Sequence, residues 1–182
     1  WVAMSPDCRN IVWSVADMIS LPVSRMIVST DGGKSFLCCK VYDKNGEEKK
    51  QGSVKVYSDR MDSSLFYGFG EHSDFYISKD GGKTFREYLL PKDFPETDFG
   101  LIDCANKTEV RGETGKSGIF YMALNRGGLW KLIYHKASDR VTVNRLTKEG
   151  YEVYRIGLGL GSPDGNYAQD QKAIYCNARL DG

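Results

Sequence analysis

The chain has 182 residues, 41% of them hydrophobic, and its 25 Lys and Arg nearly balance 24 Asp and Glu, leaving a formal charge of +1. That is enough chain for one ordinary domain, and near-neutrality excludes binding of nucleic acid or an anionic membrane driven by net charge. No apolar stretch approaches the roughly 20 residues of a membrane-spanning helix, no charged-then-apolar signal segment opens the chain, and the strand-like start Trp1-Val2-Ala3-Met4-Ser5 leads us to expect a segment of a longer protein or a processed one.

Short β-branched or aromatic runs bounded by Gly, Asp, Asn or Pro predict strands throughout. No helical period of 3.6 residues persists beyond two turns. In chain order the predicted strands are 1–4, 11–15, 26–29 and 36–42, then 53–57, 65–69, 75–78 and 85–89. A third set is 109–111, 119–124, 129–134 and 141–146, and the tail adds 151–160 and 172–177. Turn formers separate the first and second strands of each set, at 5–10, 59–63 and 112–116. Four strands in about 50 residues make one blade of a β-propeller. The predicted fold is therefore all-β, a β-propeller of four-stranded antiparallel blades with about three and a half blades present. The expected divisions are 1–50, 51–106, 107–148 and an incomplete 149–182.

Two near-copies fix this register. Ser29-Thr30-Asp31-Gly32-Gly33-Lys34-Ser35-Phe36 and Ser78-Lys79-Asp80-Gly81-Gly82-Lys83-Thr84-Phe85 start 49 residues apart. Each sits in the turn between third and fourth strands. The Asp carboxylate can accept backbone N–H bonds there, and the glycines permit positive φ. Ser or Thr can bond back across the loop, and the aromatic residue is expected to pack between sheets. Ser29, Asp31, Gly33, Phe36, Ser78, Asp80, Gly82 and Phe85 are thus read as structural. In the third set the motif has decayed, with Leu132-Ile133-Tyr134 in its place at a spacing of 54 residues.

The pattern resembles the Asp box of sialidase-like propellers, whose working face is usually opposite the boxes. That resemblance directs attention to 16–24, 71–74 and 125–127, the connectors 43–52 and 91–107, and 161–171 in the fourth blade. Glu71, His72 and Asp74 form a compact polar cluster there, although a solvated loop is the safer reading. Asn125, Arg126 and Tyr167 join Glu71 and His72 as candidate substrate-binding residues. Trp13, Trp130, Tyr42 and Tyr167 could stack on sugar rings, but Trp13 and Trp130 fit core or inter-blade packing better. The charged run 44–50 reads as an exposed connector.

Other motifs are weak. Five cysteines, Cys8, Cys38, Cys39, Cys104 and Cys176, have no Cys-x-x-Cys spacing, and His72 and His135 are isolated, so no metal site is expected. Scattered buried thiols are the expected state, with one disulfide left open. Asn106-Lys107-Thr108 is a glycosylation sequon, meaningful only in a secreted eukaryotic protein. Gly157-x-Gly159-x-Gly161 lacks the following helix and Lys-Ser/Thr of a phosphate loop, so no cofactor is expected.

Beyond the boxes, the strands resemble glycoside hydrolase family 74, the xyloglucanases and xyloglucan-active cellobiohydrolases. Val2-Ala3-Met4-Ser5-Pro6-Asp7 followed by Ile11-Val12-Trp13-Ser14 is similar to that family's "VAVSADG…IVWS". The stretch from Val54 to Asp62 with Phe66-Tyr67-Gly68-Phe69 is similar to its "SDRVNP…FYAF" blade. Ile156-Gly157-Leu158-Gly159 through Tyr167, Ala173-Ile174-Tyr175 and Leu180-Asp181-Gly182 is similar to "IGFGKAAPG…YPALY…G…NG". Ser162-Pro163-Asp164 departs from the usual Ala-Pro-Gly.

The resemblance implies an internal piece of the C-terminal one of two seven-bladed propellers that face each other across a cleft. It implies a secreted parent that cleaves β-1,4-glucan, xyloglucan above all, using two aspartates as acid and base. Inversion places such carboxylates about 6.5–9.5 Å apart, leaving room for water. Neither family aspartate matches a position here, and Asp98-Phe99-Gly100 does not fit the acid segment, so no catalytic residue is expected in this chain. The expected partners are the polysaccharide, the rest of the propeller and the second propeller, with no nucleic acid and no membrane. Two other classes stay open: a non-catalytic Asp-box propeller binding a protein or peptide, as in sorting receptors or assembly factors, and a sialidase. The second needs three arginines around a carboxylate and a Tyr-Glu pair, which Arg9, Arg25, Arg60, Arg86, Arg111 and Arg126 do not assemble.

Overall fold

Alternating apolar positions and turn-forming clusters organise the chain into strands alone. The computed structural model describes residues 1–14, 26–49, 54–70, 74–95, 108–160 and 172–180, and contains no helix among them. The first sheet is an antiparallel meander of β1 (Val2–Met4), β2 (Ile11–Ser14), β3 (Met26–Ser29) and β4 (Leu37–Cys38). The second contains β6 (Lys55–Ser58), β7 (Phe66–Phe69), β8 (Phe75–Ser78) and β9 (Thr84–Tyr88). The third contains β10 (Glu109–Gly112), β11 (Ile119–Ala123), β12 (Leu129–His135) and β13 (Arg140–Arg145). A hairpin of β14 (Glu152–Leu160) and β15 (Lys172–Arg179) follows, with a bulge between Val153 and Arg155.

One strand departs from the expected pattern. The predicted run 36–42 is divided, because β5 (Lys40–Tyr42) leaves the first sheet and pairs in parallel with β9. The Cys39 N–H still donates to the Met26 carbonyl, whereas the Lys40 N–H donates to Lys83 in the second sheet. The crossing caps the free edge of β9, an edge that would otherwise invite pairing.

Both faces of the second sheet are buried. Val56, Phe66, Tyr76 and Phe85 pack with Ala3, Val12, Met26 and Val28 of the first sheet. Tyr67, Phe69, Phe75 and Ile77 pack with Phe120, Met122, Trp130 and Leu132 of the third. Tyr121, Ala123 and Leu129 meet Val153 and Ile156 of the hairpin in a third cluster. This two-sided burial explains why Phe66–Phe69 and Phe75–Ser78 are inaccessible at every position. Aromatic pairs such as Tyr67 edge-on to Phe120, with ring centroids 3.9 Å apart, fill the space between sheets.

The thiols correct the expectation of burial: Cys8, Cys38 and Cys176 are exposed and only Cys39 is partly covered, all four free. Cys8 lies in a turn at φ +60 and Cys38 on the last strand of its sheet, so neither position is enclosed by a neighbour. Cys104 and Asn106 lie outside the described residues.

Candidate functional site

The two Asp boxes share a core of four internal hydrogen bonds. In the first, the Ser29 hydroxyl donates to Asp31 Oδ1 at 2.7 Å and accepts the Gly33 N–H at 2.8 Å. Asp31 Oδ1 also accepts the N–H groups of Lys34 and Ser35, and Oδ2 accepts the Ser35 hydroxyl at 2.6 Å. In the second, Ser78 donates to Asp80 and accepts the Gly82 N–H, both at 2.9 Å. Asp80 accepts the Thr84 N–H at 2.9 Å and the Thr84 hydroxyl at 2.7 Å. The hydroxyls of Ser35 and Ser29 and the Ser35 N–H hold Asp31 well below the usual carboxylate range. Both carboxylates thus have their acceptor capacity directed into their own turns rather than toward a substrate.

Their surroundings differ. Phe85 is fully buried against the first sheet, whereas Phe36 is 40% exposed, contrary to the expectation that both aromatics lie between sheets. A Cβ on Gly82 would lie 2.2 Å from Val12 Cγ2, so the second box turn is wedged onto the first sheet. A Cβ on Gly33 would meet only Ile11 of its own sheet, at 3.5 Å.

The third such turn carries a different device. Tyr134 stands where a box Asp would be, and its hydroxyl donates to Asp139 Oδ1 at 2.8 Å. Tyr88 of the second sheet donates to the same oxygen at 2.5 Å, and Lys79 reaches Oδ2 at 2.9 Å. Burial opposes ionisation of Asp139, but bonds from Tyr88, Lys79 and Tyr134 outweigh it and hold the carboxyl down at about 2. Asp139 adopts φ +50, a left-handed conformation that Asp tolerates better than most residues. Beside it, Lys136 pairs with Asp62 at 2.6 Å, and buried Asp59 accepts the Tyr67 hydroxyl and the Gly118 N–H of the third sheet.

At the opposite rim, the β11–β12 turn presents Asn125 at φ +54. Its N–H and carbonyl exchange two 2.9 Å bonds with Val153, tying that turn to the start of the hairpin. Arg126 projects from the same turn with a 90% exposed side chain, 3.9 Å from Glu152. A second polar group on this rim was not legible as a unit. Lys49 Nζ donates to the Tyr76 hydroxyl at 3.1 Å and to Glu87 at 3.2 Å, and lies 3.7 Å from Asp74. The Tyr76 hydroxyl donates to Asp74 at 3.1 Å. Burial raises the Lys49 ammonium's cost, yet its bonds to Tyr76 and Glu87 hold it protonated above the usual lysine range. Burial pushes Tyr76 up to about 12. The partners come from segments 27 and 38 residues apart, and Lys49 belonged to a run read as a solvated connector.

Of the candidate substrate-binding residues, Asn125 and Arg126 share this rim. Trp13 lies in a different sheet, 45% exposed on the outward face of β2. Glu71, His72 and Tyr167 lie outside the described residues. The strands that flank Tyr167 point away from the Asn125 rim. β14 starts at the Asn125 bridge and ends at the far side, where Leu160 pairs with Lys172. Segment 161–171 itself lies outside the described residues. Trp130 is buried with its indole N–H donated to the Gly127 carbonyl at 2.7 Å, and Tyr42 is partly covered beneath the Arg86 guanidinium. Among the described residues no group of His, Cys, Asp and Glu could hold a metal ion.

Four-stranded antiparallel meanders packed face to face, with Asp-box turns along one rim, define an all-β protein of the propeller kind. The chain is similar along its whole length to xyloglucanases. It is 28% identical over 180 residues to the xyloglucanase Xgh74A of Acetivibrio thermocellus, covering 99% of this chain and 17% of that protein. It is 27% identical over 184 residues to a xyloglucanase of a Paenibacillus species, covering all of this chain and 15% of that one. The chain thus spans about one sixth of the length of these curated relatives.

The fold matches the crystal structure of the GH74 enzyme of Niastella koreensis with a TM-score of 0.61 at 17% identity, over 96% of this chain and 21% of that one. It also matches the GH74 xyloglucanase of Xanthomonas campestris with a TM-score of 0.52 at 16% identity, over 98% and 29%. No family model matches the chain. The resemblance to glycoside hydrolase family 74 read from the strands is borne out by these relatives, and the all-β antiparallel architecture by these structures.

Proposed function

We propose that the chain is a scaffold segment of a secreted glycoside hydrolase that cleaves the β-1,4-glucan backbone of xyloglucan. The observation that carries this reading is the whole-length similarity to two proteins named xyloglucanase. In this reading the two inverting aspartates lie elsewhere in the parent, in keeping with the inward-directed carboxylates of Asp31 and Asp80. The segment contributes a rim toward the cleft and a second propeller. Asn125 and Arg126 are its described candidates for glycan contact, and Glu71 and His72, outside the described residues, remain candidates from the sequence. Arg126 suits that role because its side chain extends into solvent with five donors for sugar hydroxyls.

The test is to assay the full-length parent on xyloglucan, mixed-linkage glucan and sialosides, and to follow the anomer released. The reading expects reducing ends from xyloglucan with inverted configuration. Inactivity on every glucan contradicts it, as does activity on sialosides alone. Hydrolysis by residues 1–182 in isolation would contradict the placement of the catalytic pair outside this chain.

A further inference from the structure

Trp1, Lys55 and Glu109 occupy one position in three successive sheets. Each lies opposite the last residue of its second strand: Trp1 exchanges two 2.8 Å backbone bonds with Ser14, Lys55 pairs with Phe69, and Glu109 pairs with Ala123. Because β11 runs from Ala123 into the Asn125–Arg126 turn, all three stand at the rim opposite the Asp boxes. Each also contacts the sheet that follows it. Lys55 Nζ lies 4.5 Å from the centroid of the Trp1 ring and 3.4 Å from Thr108 Oγ1. Glu109 Oε2 accepts the Ile156 N–H of the hairpin at 2.9 Å.

Strand alternation puts Trp1 on the face of Ala3, away from Val2 and Met4. Ala3 packs against the second sheet, and buried Ser14, opposite Trp1, accepts the Val54 N–H of that sheet's approach at 3.1 Å. The sheet that this face packs against is therefore already in place around Trp1. Even so, Trp1 is 44% exposed, whereas Lys55 is buried. A lone exposed apolar side chain is ordinary on a protein surface. An indole at a rim with a buried ammonium held against its ring is not, because the cation fixes the ring's orientation.

We propose that Trp1 is a stacking platform for one pyranose ring of the glucan, with Lys55 as the positioning residue that holds the indole from one side. The ligand's identity rests on the hydrolase reading above. In a β-1,4-linked glucan the hydroxyls are equatorial and the ring hydrogens axial, so each sugar presents two flat apolar faces that suit an indole. Holding the ring in advance lowers the side-chain freedom lost when the sugar lands. A neutral sugar also fits the charge at this place, since it brings no ion to pair with Lys55. Asn125 and Arg126 stand on the same rim and offer polar contacts to hydroxyls.

Xyloglucan hydrolysis and hydroxyl-radical footprinting of the full-length parent test it. Trp1→Ala is expected to raise KM about three- to tenfold, the scale of one ring contact, with kcat per folded molecule unchanged. Trp1→Phe keeps a ring and should stay within about twofold of the native KM. Lys55→Met should raise KM by a smaller factor and add nothing in the Trp1→Ala background, a non-additivity that a merely structural lysine does not produce. Footprinting of the native parent gives a readout that needs no variant. Trp1 oxidation should be high without ligand and fall when a xyloglucan oligosaccharide is added, with buried Trp130 as the unreactive reference. An active parent whose folded Trp1→Ala variant keeps the native KM overturns the inference and leaves the hydrolase reading standing; a parent inactive on glucans overturns both. Trp1 that resists oxidation without ligand is covered by other parts of the parent, and Trp1 oxidised equally with saturating oligosaccharide carries no sugar. Either result overturns the platform, and additive effects of the Lys55 and Trp1 variants overturn the role of Lys55.

Discussion

The first and second Asp boxes are one sequence motif in two surroundings. Four hydrogen bonds recur in both boxes, yet Phe85 and Gly82 are enclosed by the first sheet while Phe36 and Gly33 face outward. The motif therefore determines the turn, and the neighbouring sheet determines how much that turn contributes to stability. The third turn sharpens the point. It has lost the motif, yet Asp139 still fastens it, by bonds that cross to Tyr88 and Lys79 of the second sheet.

The largest test of this difference is truncation of the two aromatics. Phe85→Ala should cost about 3–5 kcal/mol, as for any fully buried Phe, whereas Phe36→Ala costs much less wherever its face is uncovered. Urea unfolding midpoints measure both, and equal costs in residues 1–182 would erase the comparison. Next come the glycines. Gly33→Ala and Gly82→Ala share the strain of positive φ, so the extra 1–3 kcal/mol or so expected at Gly82 isolates its contact with Val12.

Ser29→Ala and Ser78→Ala should be nearly equal, at roughly 1–2 kcal/mol each, because both remove from a buried hydroxyl the bonds to the box Asp and to the Gly N–H. The further 3.4 Å contact of Ser29 with the Asp31 N–H is long and weak. A clear inequality would show that the surroundings reach into the motif's own wiring.

The smallest effect is electrostatic. Asp139 is held at about 2, below the ordinary carboxyl value of 3.8, so its contribution is present above pH 3.8 and is lost as pH falls toward 2. Because that side chain is half exposed, Asp139→Asn should cost only about 1 kcal/mol near neutrality. The difference between variant and native protein should shrink in acid, which unfolding curves at pH 5 and pH 2.5 would measure.

Much of this was legible in the sequence. Strands at 26–29 and 75–78 have the bounds expected from their apolar runs, and the others shift by a few residues. The division of 36–42 was not legible, because alternation reports which residues are apolar but not which sheet edge they join. Asp139 carries no motif; Asp-Arg in a turn is ordinary, and its partners are 51 and 60 residues away. The Lys49 cluster was hidden for the same reason, by long-range pairing of an unremarkable lysine. Thiol burial was misjudged because cysteine is usually buried, whereas these lie in turns and on strands without a cover. The candidate site was legible only in part: Asn125 and Arg126 occupy the rim opposite the Asp-box turns, while Glu71, His72 and Tyr167 lie outside the described residues.

The most direct measurement is xyloglucan hydrolysis by the parent carrying Asp31→Asn and Asp80→Asn together, normalised to folded protein. If the boxes serve only the turns, stability falls and kcat per folded molecule stays at the native value. A large loss of kcat with the fold intact would contradict the account.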